Sequence, residues 1–157
     1  STSRRQRQMC IRDSNYFGIS LDHCDDVFVH ENTVSNDQAN TSTNLRGLNV
    51  ITSTGGNICN NGIDKMGYSM FFDDDCQNSV LKLNLMQHYS SAIYFNNAEF
   101  TTQGSSTVTL DNTFQNGSAN YRLDGALTNS VPITWYYDSN NPDMVVSGGY
   151  NLSLIHI

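Results

Sequence analysis

Positively charged residues are scarce in this chain of 157 residues, which has 8 lysines and arginines against 15 aspartates and glutamates. The formal net charge is −7, and beyond residue 12 the only cations are Arg46, Lys65, Lys82 and Arg122. Binding to nucleic acid requires clustered lysine and arginine side chains that displace counterions from phosphates. The composition therefore argues against nucleic acid as a partner.

Long apolar runs are lacking as well. No stretch approaches the ~20 consecutive apolar residues of a membrane-spanning helix, so membrane insertion is not expected. Helix signals are poor throughout, because β-branched residues, Asn, Ser and Gly dominate and no long segment keeps an apolar period of about 3.6 residues. The sequence predicts an all-β fold.

The two ends resemble translated sequencing adaptors. Residues 4–14 are what one end of a transposase adaptor encodes, and residues 152–157 are what its reverse complement encodes. Segments of this kind are set aside in reasoning about a fold. We therefore expect residues 1–14 and 152–157 to be non-native and residues 15–151 to be a partial domain, with a formal charge of −10 once both ends are removed.

A small residue opens a short alternating apolar run five times along the chain, at starts separated by 29, 20, 24 and 27 positions: Gly18, Gly47, Gly67, Ser91 and Ser118. This spacing lies in the range of about 20–50 residues typical of stacked solenoid coils, above the ~8–12 residues expected between sandwich strands. A solitary coil cannot bury its apolar side and must stack on a neighbour. We predict a parallel β solenoid, with residues 118–151 as a terminal or irregular coil.

An antiparallel β-sandwich is the alternative. Its support comes from the dipeptides Asn61-Gly62 and Asn116-Gly117, which are hairpin signals. Alternation predicts that Val27, Val29 and Val34 face inward, with Phe28 and His30 outward. The same rule predicts one apolar face from Leu81, Leu83 and Leu85, and a polar face from Lys82 and Asn84.

Asparagines concentrate at the predicted joints between strands: Asn32, Asn36, Asn57, Asn60, Asn61, Asn78, Asn84, Asn96, Asn97, Asn112 and Asn116. Asparagine tolerates the left-handed backbone region, and identical amides stacked at strand spacing form hydrogen-bonded ladders. The pattern therefore predicts corners at these positions. Cys24 and Cys76 follow acidic stretches and are expected at equivalent coil positions as small buried thiols, or alternatively in a disulfide.

The segment from Gly18 to Val34 resembles a repeat of right-handed parallel β-helix proteins, the pectate-lyase-like superfamily. The segments from Phe71 to Val80 and from Asn84 to Tyr89 are similar to secreted bacterial β-helix proteins grouped with glycoside hydrolases and lyases. The resemblance covers residues 16–117. It implies an extracellular or cell-surface protein that acts on a polysaccharide as a hydrolase or lyase, with a non-catalytic glycan-binding, adhesin or tailspike-like module as the alternative.

Candidate catalytic residues are Asp73, Asp74, Asp75 and His88. Glycosidic cleavage uses two carboxyl groups about 5–9.5 Å apart, and neighbouring coils lie about 4.8 Å apart, so stacked acidic positions suit that chemistry. If the strand continues, Asp73 and Asp75 are expected on one side and Asp74 on the other. His88 is the candidate proton carrier.

Trp135 and Tyr136 are the candidate substrate-binding residues, since exposed aromatic rings stack on sugars. The alternative is that these rings close a core. No metal site or cofactor is expected from the spacing of cysteines and histidines, although carboxylates and backbone carbonyls are suitable ligands for calcium.

Overall fold

The computed structural model describes residues 16–37, 42, 44–117, 121–130, 132–137 and 152–156. The strands of these residues follow one another in coils. The first coil contains β1 (Tyr16–Asp22), β2 (Phe28–His30) and β3 (Thr33–Ser35), the second β4 (Leu45–Ile51), β5 (Asn57–Cys59) and β6 (Gly62–Asp64), and the third β7 (Tyr68–Asp75), β8 (Val80–Lys82) and β9 (Leu85–Gln87). The fourth has β10 (Ser91–Glu99) and β11 (Thr113–Gln115), followed by β12 (Tyr121–Leu127), β13 (Ile133–Tyr137) and β14 (Leu152–His156).

Strands from successive coils stack into parallel sheets. Sheet A has the order β1-β4-β7-β10-β12, sheet B the order β2-β5-β8 and sheet C the order β3-β6-β9-β11. Every pairing between named strands is parallel, and the one antiparallel contact in the described residues is the isolated bridge between Ser105 and Val108. The prediction of a parallel β-helix is confirmed, and the antiparallel sandwich is wrong.

The core is a set of apolar columns that run along the solenoid axis. Parallel register places equivalent residues of successive coils beside one another, so each inward position becomes a stack of similar side chains. Sheet A contributes one column of Ile19, Leu48, Met70, Ile93 and Leu123 and another of Leu21, Val50, Phe72 and Phe95; sheet B contributes Val29, Ile58 and Leu81; sheet C contributes Val34, Ile63, Met86 and Phe114.

The register corrects three of the predicted coil starts. Leu48 pairs with Met70, Met70 with Ile93 and Ile93 with Leu123, so Ser69, Ala92 and Arg122 lie level with Gly47. The sequence predicts Gly67, Ser91 and Ser118 at this position. At Gly47 a methyl group would approach the Ile63 side chain to 2.4 Å, which explains the small residue at this position of the second coil.

Asparagines Asn32, Asn61, Asn84 and Asn112 form a ladder at the corner between sheets B and C. Each side-chain amide of the first three donates to the Oδ1 of the next, at 3.0, 2.9 and 2.9 Å, across 29, 23 and 28 residues of sequence. The interior amides also donate to backbone carbonyls, such as Asn84 to Ile58 at 2.8 Å. The predicted amide stacking is confirmed in this asparagine ladder.

The prediction for the third repeat is wrong at this corner. Asn84 is fully buried, whereas Leu83 is 45% exposed and has a positive φ of 55°. The chain turns at Leu83, so the alternation that connects Leu81 to Leu85 is interrupted. The corresponding positions of the other coils, Glu31, Asn60 and Asp111, also have positive φ.

The last described strands extend the solenoid beyond residue 117. β12 is the fifth strand of sheet A, and β13 pairs with β14, whose residues lie within the predicted adaptor segment. Gly125 in β12 has a φ of +96°, and a Cβ there would lie 1.9 Å from the carbonyl oxygen of Phe95. Residues 138–151 of the predicted terminal coil lie outside the described residues.

The cysteines of the described residues do not form the disulfide that was the alternative to buried thiols. Cys24, Cys59 and Cys76 are free thiols, and Cys76 is fully buried while Cys24 is partly buried. Burial raises the pKa of the Cys76 thiol, an effect opposed by nearby backbone groups. The part of the chain that the structure describes holds no helix with the length and apolarity needed to span a bilayer.

Candidate functional site

Asp73, Asp74 and Asp75 form an acid corner where β7 leaves sheet A. Asp74 has a φ of 57°, and the pairing of β7 with β10 shifts between the pairs Asp73 with Asn96 and Asp75 with Glu99. This bulge breaks the alternation that would have placed Asp73 and Asp75 on one face. Asp74 and Asp75 are exposed, and Asp73 is partly buried.

Each end of the acid corner has a local hydrogen-bond role. The Oδ1 of Asp75 accepts a hydrogen bond from the backbone N–H of Gln77 at 3.1 Å, which stabilises the turn into sheet B. The Oδ1 of Asp73 accepts from the amide of Asn96 at 2.9 Å. Asp73 is therefore the member of the corner that belongs to the surface of sheet A.

His88 lies at a different corner, between sheet C and sheet A. Its Nδ1 lies 2.7 Å from the Oδ1 of Asp64, and both side chains are partly exposed. β7 begins at Tyr68 on the side of that corner and ends at Asp75, so the two sites are about 20 Å apart at ~3.3 Å per strand residue. The fold does not bring His88 to the acid corner, and its catalytic role stays a prediction.

Trp135 and Tyr136 lie on β13. Trp135 is 2% exposed and takes the core position that was the alternative to sugar stacking. Tyr136 is partly buried, and its backbone N–H donates to the carbonyl of Gln103 at 2.9 Å. A substrate-binding role stays a prediction for this pair. Of the two side chains, Tyr136 alone keeps enough exposed surface to contact a sugar.

The outer surface of sheet A carries a group that the sequence analysis did not identify. Tyr68, Phe71 and Tyr94 form a ring stack, with Tyr68 and Tyr94 centroids 4.4 Å apart and Phe71 and Tyr94 centroids 5.6 Å apart. The interplanar angles are 19° and 8°. Neighbouring coils place these rings face to face. Phe71 is 4% exposed, whereas Tyr68 and Tyr94 are partly buried and therefore keep some surface.

Arg46 extends the ring stack. Its guanidinium carbon lies 3.5 Å from the centroid of Phe71 and 5.5 Å from that of Phe17, and one terminal nitrogen donates to Asn49 at 2.8 Å. Burial lowers the pKa of Arg46 from its ordinary value, while the negative charge of Asp73 acts in the opposite direction. Arg46 remains cationic at neutral pH because an arginine pKa lies so far above it.

We use the name outer face for the surface of sheet A formed by the partly buried side chains of Arg46, Tyr68, Asp73, Tyr94 and Asn96, together with Asn49 and Phe71, which are buried beneath them. Register alone assembles it: Asn49, Phe71 and Tyr94 are paired neighbours on successive strands, as are Asp73 and Asn96. The signal in the sequence was the alternation of β7 and β10, which becomes readable once Ser69 and Ala92 are aligned with Gly47.

Three polar groups of the outer face have no protein hydrogen-bond partner among the described residues. The buried Nε of Arg46 and the Tyr94 hydroxyl make no hydrogen bond there, and the Asn96 amide uses its N–H toward Asp73, leaving its carbonyl oxygen available. The Tyr94 and Asn96 side chains are partly buried and fixed by their neighbours. Such groups are prepared to bind a polar ligand with little loss of side-chain entropy.

In the described ranges, no cluster of three or more His, Cys, Asp or Glu side chains is arranged to hold a metal ion. The calcium role suggested by the acidic sequence stays a prediction.

Comparison with protein-family models, with curated proteins and with solved structures found no match to this chain.

Proposed function

We propose that the chain is part of an extracellular or cell-surface carbohydrate-active β-helix protein that binds a polysaccharide along the outer face of sheet A. The observation that carries this proposal is the ring stack, whose tyrosines Tyr68 and Tyr94 keep some exposed surface beside Arg46, Asp73 and Asn96. Sugars offer many hydroxyl groups and weakly polar C–H surfaces. A surface that alternates aromatic edges with fixed amide, hydroxyl and charged groups complements both.

The spacing of the outer face supports a chain-like ligand. Polar groups recur on adjacent strands about 4.8 Å apart, a distance comparable to that between successive sugar units. The strongly acidic composition, with Arg46 as the cation on this face, favours a neutral glycan over a polyanionic one. The local hydrogen bonds of Asp73 to Asn96 and of Asp75 to the Gln77 backbone also favour a binding surface over a carboxyl pair.

The test is Tyr94→Phe, which keeps the ring in the stack and removes one hydroxyl group. Affinity electrophoresis against a panel of neutral polysaccharides should show binding by the unchanged chain and a loss of about fivefold in the variant, the value of one hydrogen bond. Tyr136→Phe is the matched control and should leave binding unchanged. A loss in Tyr136→Phe with none in Tyr94→Phe would move the site to β13.

Cleavage of glycosidic bonds is the second candidate function, and the position of Asp73 favours it. This carboxylate lies on the same face as the ring stack, where it accepts a hydrogen bond from Asn96. A general acid or base must lie within reach of the bound glycan. Asp73 meets that requirement better than Asp75, which binds its own turn.

Release of reducing ends from a polysaccharide that binds would measure this activity. Asp73→Asn should reduce the rate by orders of magnitude while binding persists, whereas Asp75→Asn should reduce it little. If Asp74→Asn or Asp75→Asn abolishes release and Asp73→Asn does not, the exposed part of the acid corner holds the reacting carboxylates. Binding without any release would leave the non-catalytic module as the function.

A further inference from the structure

The two Asn-Gly dipeptides of the chain differ in how firmly the fold holds them. In Asn61-Gly62 the asparagine is 3% exposed and belongs to the asparagine ladder. In Asn116-Gly117 the asparagine is exposed at the corner after β11. The two dipeptides are identical in sequence, whereas their different burial and hydrogen bonding predict different chemical reactivity.

Asparagine followed by glycine is prone to a reaction with its own backbone. The deprotonated backbone nitrogen of the glycine attacks the asparagine Cγ, a C–N bond forms, the Cγ–Nδ2 bond breaks and ammonia leaves. Water then opens the five-membered imide at either carbonyl and gives aspartate or isoaspartate. Glycine permits the attack because no Cβ hinders its nitrogen. The reaction needs a side-chain amide that can rotate and a backbone N–H that is not engaged.

Asn61-Gly62 meets neither requirement. The Nδ2 of Asn61 donates to the carbonyls of Val29 and Cys59 and to Asn84, while its Oδ1 accepts from Asn32. The backbone N–H of Gly62 donates to the carbonyl of Asn32 at 2.8 Å. Reaction at Asn61 therefore requires several buried hydrogen bonds to open together.

Asn116-Gly117 meets both requirements. Neither the Asn116 side chain nor the Gly117 N–H makes a hydrogen bond in the described part of the chain, and Asn116 is exposed while Gly117 is partly buried. We propose that Asn116 is a site of spontaneous conversion to aspartate and isoaspartate, and that the asparagine ladder protects Asn61 from the same reaction. The co-reactant is water and the product that leaves is ammonia.

The conversion alters a specific part of the solenoid. It adds a carboxylate, and isoaspartate also lengthens the main chain by one methylene group directly after β11. The backbone N–H of His88 donates to the carbonyl of Gln115 at this point, at 3.2 Å. Accumulated isoaspartate is therefore expected to loosen the end of the β9 and β11 pairing.

Peptide mapping by mass spectrometry tests the proposal on the full chain made in a bacterial host, because Asn116-Gly-Ser118 is a glycosylation sequon. After incubation in mildly alkaline buffer, the peptide with Asn116 should gain one dalton and react with isoaspartyl methyltransferase. The peptide with Asn61 should change at least about a hundredfold more slowly, since several buried hydrogen bonds must open first.

The same chain in denaturant is the internal control, where both dipeptides should react at similar rates. Asn32→Ala, which removes one partner of Asn61, should accelerate conversion at Asn61 and leave the rate at Asn116 unchanged. An intact Asn116 in the folded chain, or equal rates at both sites while the chain is folded, would overturn the proposal.

Discussion

The corner between sheets B and C and the acid corner at the end of sheet A both turn the chain and must both provide partners for backbone groups. They do so with different side chains. The first repeats one residue type in four coils as the asparagine ladder, of which Asn61, Asn84 and Asn112 are buried. The second has Asp22, Ile51, Asp73 and Asn96 at equivalent strand positions, where Asp22 is exposed and the others are partly buried, and it continues into the exposed Asp74 and Asp75. Repetition is needed where backbone groups are buried, because each must find a partner inside the protein. Where water can serve as the partner, the sequence is free to vary and to acquire function.

Asn84→Ala should break this contrast most strongly. The substitution removes side-chain hydrogen bonds to Ile58, Asn112 and Asn61 and leaves buried polar groups unpaired. We expect a loss of about 3–4 kcal/mol in the free energy of unfolding, measured by urea denaturation. Gln87→Ala is the matched control, since the hydrogen bond that its side-chain amide donates to Gln115 is exposed and should contribute no more than about 0.5 kcal/mol. Equal losses in both variants would contradict the role given to burial.

Leu83→Asn should strengthen the asparagine-ladder corner. A leucine at a φ of 55° bears the steric cost of the left-handed region, which asparagine tolerates. We expect a gain of about 1 kcal/mol, seen as a higher urea midpoint with the same slope. The reverse change at the equivalent position, Asn60→Leu, should cost a similar amount. A destabilised Leu83→Asn would show that this side chain packs despite its 45% exposure.

Much of the fold was readable from the sequence because alternation and coil length are local properties. Val29, Phe28 and Val34 lie as predicted. The corner at Leu83 was not readable, since leucine has no preference for positive φ and only the stacking of coils imposes it. The outer face was missed for a related reason: Arg46, Phe71 and Tyr94 meet through register, and a shift of one or two residues in the predicted starts hides that alignment.

Asp74→Asn should have a small effect in the acid corner. The substitution keeps a residue that tolerates the positive φ of 57° and removes one of three adjacent negative charges. We expect a change within about 0.5 kcal/mol, stabilising at low salt and vanishing at high salt. Thermal denaturation at two salt concentrations measures it. A large loss independent of salt would mean that Asp74 has a structural role like that of Asn84.

Removing the Cys76 thiol should have the smallest effect on stability, and this effect is absent at neutral pH. Burial raises its pKa in the folded protein, so above the ordinary thiol pKa the unfolded chain binds fewer protons than the folded one. Stability should therefore fall as the pH rises through that range. Cys76→Ala should lessen this alkaline decline in urea denaturation series, whereas Cys24→Ala, at a partly exposed thiol, should retain it. An unchanged slope in Cys76→Ala would reject the assignment.

The direction of the asparagine ladder has a consequence for altering the solenoid. The amide of Asn32 donates to Asn61, Asn61 donates to Asn84 and Asn84 donates to Asn112, so the bond dipoles all point one way along the axis. A whole coil can be duplicated or exchanged without reversing that polarity if the new coil carries asparagine at the same place. Leucine cannot donate such a hydrogen bond. A coil added to lengthen the solenoid, or to combine it with another solenoid, must therefore carry asparagine at this one position.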